Sequence, residues 1–62
     1  MNNLIKHAAG YYELLTGTNV SFMIEHNKQG GYSVTMLEDD EAVDDIGEFN
    51  DISTAITYLK SA

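Results

Sequence analysis

The sequence contains no cysteine. That excludes a disulfide framework and a thiolate metal site, the usual staples of very small folds. It contains no arginine either, since its three cations are Lys6, Lys28 and Lys60. The side chain that grips phosphate as a planar fork is therefore missing, which argues against direct phosphate binding. No stretch approaches the ~20 apolar residues that a membrane-spanning helix needs. The apolar run within Met1–His7 is short, is broken by Lys6 and His7, and is followed by no small-residue cleavage site, so it does not read as a secretory leader. Asn2 and the lack of cysteine remove the common lipidation signals. These absences predict a soluble, cytoplasmic protein.

What is present is acid. Ten carboxylates face three lysines, for a formal net charge of −7 in 62 residues. A protein so charged is repelled by nucleic acid and by anionic membranes. Yet 44% of the residues are hydrophobic, too many for an acidic disordered tail, so the chain is expected to fold. At this length one hydrophobic core is the most it can hold, which makes residues 1–62 a single domain. About 60% of the unfolded surface is buried in a domain this small, so stability is marginal or is supplemented by a partner or a second copy.

Apolar residues Leu4, Ile5, Ala8, Tyr11, Tyr12 and Leu15 recur at intervals of three and four, which predicts an amphipathic helix over 3–15 capped by Asn2 or Asn3 and ended at Gly17. From Thr18 the period becomes two. Val20, Phe22 and Ile24 alternate with Ser21, Met23 and Glu25 in a strand over 19–26. Asn27-Lys28-Gln29-Gly30-Gly31 reads as a hairpin loop, and Tyr32, Val34 and Met36 alternate with Ser33, Thr35 and Leu37 in a second strand. A short third strand over 43–49, with a bulge near Gly47, is expected to turn Val43, Gly47 and Phe49 inward and Asp44, Ile46 and Glu48 outward. Its charge suits an edge strand. Asp51 caps a last helix whose apolar face is Ile52, Ala55, Ile56 and Leu59. The fold class read this way is α+β, a two-layer α-β-β-β-α order with two helices packed on one face of a three-stranded antiparallel sheet.

Chemistry is sparse. His7 and His26 have no third ligand at a metal spacing. The acids between 39 and 48 lack the central glycine of a calcium loop. Ser21, Ser33, Ser53 and Ser61 have no nucleophile context, and Gly30-Gly31 is a hairpin feature. The expectation is no enzyme, no cofactor and no dedicated metal site. The most informative feature is the placement of acid: eight of the ten carboxylates lie within 38–51, uninterrupted by any base. Glu38, Asp39, Asp40, Glu41, Asp44, Asp45 and Glu48 are the candidate partner-binding residues. The partner that such an array fits is a protein with a basic surface, most naturally one that holds nucleic acid. A solvated acidic face is the plain alternative.

In size, charge and clustering the chain resembles the nucleic-acid-mimic inhibitors made by phages and mobile elements, among them inhibitors of uracil-DNA glycosylase and anti-CRISPR proteins. That resemblance implies that the seven acids stand in for backbone phosphates. The run Gly30-Gly31-Tyr32-Ser33-Val34 with Phe49-Asn50-Asp51-Ile52-Ser53-Thr54-Ala55-Ile56 is similar to the hairpin and following helix of HicB-type antitoxin domains, although this chain has acids where that family has a proline-glycine segment. That similarity implies a regulatory module binding through hydrophobic surface. The α-β-β-β-α order resembles double-stranded-RNA-binding domains, whose basic residues are missing here. A third reading is self-association as a homodimer, for which Tyr12, Met23, Leu37, Ile46 and Tyr58 are the candidate contacts.

Overall fold

The computed structural model describes residues 3–61. Five strands precede one helix: β1 (Asn3–Ala8), β2 (Tyr11–Leu15), β3 (Val20–His26), β4 (Tyr32–Glu38), β5 (Glu41–Phe49) and α1 (Ile52–Ser61). The strands form one antiparallel meander in the order β1-β2-β3-β4-β5.

This overturns the α-β-β-β-α order. Residues 3–15 form a hairpin instead of a first helix, so the sheet has five strands and carries one helix. Two local features explain the difference. Gly10 sits at φ 74° between Ala8 and Tyr11, which pair across the turn. A left-handed residue there closes a two-residue connection and ends any helix. Second, the helical spacing leaves Leu14 out of the apolar stripe, whereas the strand buries Leu14 to 2% exposure and leaves Leu15 half-buried. The resemblance to the order of double-stranded-RNA-binding domains lapses with the first helix.

The later elements lie close to where the alternation put them. Cross-strand rows define the two faces of the sheet. Tyr12, Ile24, Val34 and Gly47 form one row and Leu14, Phe22, Met36 and Asp44 the next, both on the face that carries α1. Leu14, Ile24 and Val34 are closed off there by Ala55 and Leu59 of the helix, with Tyr12, Phe22, Tyr32, Ile46, Phe49, Ile52 and Ile56 packed around them. Complete burial of one such aliphatic side chain stabilises by about 1.5–3 kcal/mol. α1 starts where Asp51 accepts the Thr54 N–H at 2.7 Å, the N-cap expected from the sequence. The helix lies over β4 and β5.

The opposite face carries the rows Glu13-Met23-Thr35-Asp45 and Leu15-Ser21-Leu37-Ala42. Among the described residues no element covers it. The loop between β3 and β4 is organised by Asn27, whose side-chain oxygen accepts the N–H groups of Gln29 and Gly31, each at 3.0 Å.

Candidate interaction surface

The acidic segment is built on the β4–β5 hairpin and on β5, which forms one edge of the sheet. Asp39 and Asp40 make the two-residue turn, with φ of 53° and 67°. Two consecutive left-handed residues match the twist of a hairpin, a role usually given to Asn-Gly or Asp-Gly. Glu38 and Glu41 flank the turn and face each other directly across the ladder. Like charges in that position repel.

β5 contains two irregularities. Met36 pairs with Asp44 and Leu37 with Ala42, so Val43 is the extra residue; Val34 pairs with Gly47 and Thr35 with Asp45, so Ile46 is the extra residue. Each bulge shifts the parity of the side chains by one. The first therefore leaves Glu41 and Asp44 on the same, helix-bearing face as Glu38. The second leaves Asp45 and Glu48 together on the uncovered face. The hairpin thus brings Glu38, Glu41 and Asp44 into one row, with Asp39 and Asp40 at the tip, and sends Asp45 and Glu48 to the other side. All seven are exposed. Along β5, Glu41 and Asp44 on one face, and Asp45 and Glu48 on the other, each stand two ladder steps apart, about 7 Å.

The bulges also revise the inward assignments. Val43, expected to face the core, is 51% exposed, whereas Ile46, expected outside, packs against the core. Of the proposed self-association residues, Met23 and Leu37 share the uncovered face, Tyr12 and Ile46 border the core, and Tyr58 is on the outer side of α1 with its ring 5.3 Å from that of Phe49. These five do not make one patch.

One hydrogen-bonded pair of side chains stands apart from the acidic edge. His7 Nε2 lies 2.9 Å from Glu13 Oε1 on the uncovered face, beside the Tyr11 ring. The sequence reading did not single out Glu13. Hydrogen bonds from His7 and then from Ser21 hold the Glu13 carboxyl below its ordinary value near 4.5, against a smaller opposing effect of burial and with help from the charge of His7. His26 lies at the end of β3 with its ring 5.3 Å from Tyr32. Among the described residues no three His, Asp or Glu side chains gather in a metal-binding arrangement. A surface depression of about 610 Å³ lies beside the β3–β4 loop, lined by Glu25, His26, Asn27, Lys28, Gln29 and Ser33. It is an open concavity and not an enclosed pocket. Among the described residues no helix is long and apolar enough to cross a membrane.

No family model, curated protein or solved structure matches this chain.

Proposed function

We propose that the chain is a small acidic inhibitor that occupies the nucleic-acid-binding surface of a basic protein, with Glu38, Asp39, Asp40, Glu41, Asp44, Asp45 and Glu48 in place of backbone phosphates. The observation that carries this reading is the parity of β5. Two bulges in nine residues group the carboxylates by face, and the strand repeat sets Glu41 and Asp44, and likewise Asp45 and Glu48, about 7 Å apart along the edge. Such an array offers a cationic groove a fixed row of negative charge, which raises the rate of encounter and sets orientation. On this reading the protein has no catalytic role, and the partner contributes the arginines and lysines that this chain lacks.

The test is capture of partners from the native host extract by tagged protein, at low salt and at about 0.5 M salt, where screening shortens the reach of charge to a few Å. A nucleic-acid-handling protein held at low salt and released by salt or by added DNA is the expected result. Reversal of both Asp44 and Asp45 to lysine is expected to abolish capture, since it strikes both faces of the edge. Capture that survives the double reversal sinks the proposal.

A second reading is favoured by the uncovered sheet face, where Leu15, Met23 and Leu37 lie half-buried. A regulatory, antitoxin-like module would bind through that face, and its complex would persist at about 0.5 M salt.

A further inference from the structure

We infer that a second copy of this chain docks on β1, the two β1 strands pairing antiparallel so that the sheets join into one of ten strands. This goes beyond the acidic-edge reading and uses the opposite side of the molecule.

β1 pairs with β2 on one side, and among the described residues nothing pairs with its other side. Every residue of β1 is exposed. Leu4 and Ile5, on opposite faces of the sheet, are 44% and 38% exposed. α1 lies over β4 and β5 and does not shelter them. A strand that fully buries none of its side chains gains less from joining the sheet, and its outer row of N–H and C=O groups is a template for another strand.

The distribution of charge selects the occupant. Glu13 lies in β2, Glu25 in β3, Glu38 in β4, and Glu41, Asp44, Asp45 and Glu48 in β5. β1 alone has no carboxylate and holds Lys6 and His7. For a chain of net charge −7, β1 is thus the one sheet edge whose own strand presents no carboxylate to a second copy. β5 is closed to such pairing by its charges and its two bulges. Joined at β1, the two β5 edges stand nine strand spacings apart, about 43 Å, several screening lengths at physiological salt. The register break in β1 falls at His7, which leaves Asn3–Lys6 straight for the new ladder. A two-fold axis near Leu4 and Ile5 brings the apolar side chains of both copies together on each face.

Sedimentation equilibrium from about 10 µM to about 1 mM tests this, because so small an interface belongs to the weak, transient class. The apparent mass is expected to rise from 6.9 kDa toward twice that value. Ile5→Lys is expected to weaken the dimer at least about tenfold, a factor that corresponds to about 1.4 kcal/mol. Met23→Lys, on the uncovered face, is expected to leave the dimer intact. β1 holds none of the buried core residues, so circular dichroism of Ile5→Lys is expected to match that of the parent. If that variant unfolds, amide exchange of the parent decides, since dimerisation protects β1 amides more strongly at high concentration. A monomer throughout the range overturns the proposal. So does a dimer broken by Met23→Lys and untouched by Ile5→Lys, or exchange in β1 that ignores concentration.

Discussion

Single residues carry strain here that the surrounding sheet holds in place. Asp39 and Asp40 both adopt left-handed backbone angles, and for a residue with a Cβ this costs roughly 1–2 kcal/mol. Asp40→Gly removes that cost at the second turn position and also one charge of the hairpin. It is expected to raise stability by about 1 kcal/mol, read as a shift in the denaturation midpoint at unchanged slope. An unchanged or lower midpoint would mean that the Asp40 side chain stabilises the turn. Gly31 has the opposite relation to its surroundings. A Cβ there would meet the carbonyl oxygen of Phe49 at 2.5 Å, and that oxygen belongs to backbone that cannot rotate away. Gly31→Ala is expected to destabilise by about 1–3 kcal/mol, the usual cost of overpacking, in the same denaturation assay. The two glycines of the β3–β4 loop look alike in the sequence, yet a Cβ on Gly30 would meet nothing. That distinction depends on where β5 passes and so was not legible.

Among the elements, legibility followed the length of uninterrupted period. β3 and β4 alternate without a break for seven residues each, and the sequence placed both. α1 was readable from its cap and its three-four spacing. The β1–β2 hairpin was not, because the register break at His7 and the turn at Ala9-Gly10 interrupt the period of two twice within ten residues. Two short strands on either side of a turn then mimic helical spacing. β5 was recognised as a charged edge with a bulge near Gly47, and Gly47, Phe49 and Glu48 lie on the expected sides, but the further bulge at Val43 changes parity once more, so Val43 and Ile46 exchanged places and Asp44 moved to the helix-bearing face. At the start of α1 the reading is direct. Asp51 accepts the backbone N–H of Thr54, then its hydroxyl, and also the N–H of Ser53, and these bonds hold its carboxyl below the ordinary value near 3.8. A lowered folded value means that the ionised cap stabilises the fold fully above 3.8, and that this contribution is lost as pH falls through the folded value. Asp51→Ala is therefore expected to lower the melting temperature at neutral pH, with the gap to the parent narrowing as the pH drops well below 3.8. Thermal melts across that window check it; a gap that is constant with pH would show that charge has no part in the cap.

The whole molecule sets its stability against its charge. Folding brings the seven carboxylates of the hairpin and β5 onto one edge, and the His7–Glu13 contact is on a different strand pair. Glu38 and Glu41, directly opposed, are the closest of these repulsions by register. Salt screens exposed charges beyond about 8–10 Å at physiological strength and more tightly above it. The melting temperature is therefore expected to rise from low salt to about 0.5 M sodium chloride. Glu41→Lys, which replaces a repulsive cross-strand pair by an attractive one, is expected to add about 0.2–1 kcal/mol at low salt and less at high salt. This sign separates the two halves of the functional argument. If the acidic edge meets a cationic surface, salt must weaken that complex while strengthening the free protein, and Glu41→Lys must do the same. Melting curves and binding isotherms recorded over one salt series would expose the opposition. Stability and affinity that rise together would instead place the partner on Leu15, Met23 and Leu37 of the uncovered face, because contact there gains from burial and lies on the opposite side of the sheet from Glu41.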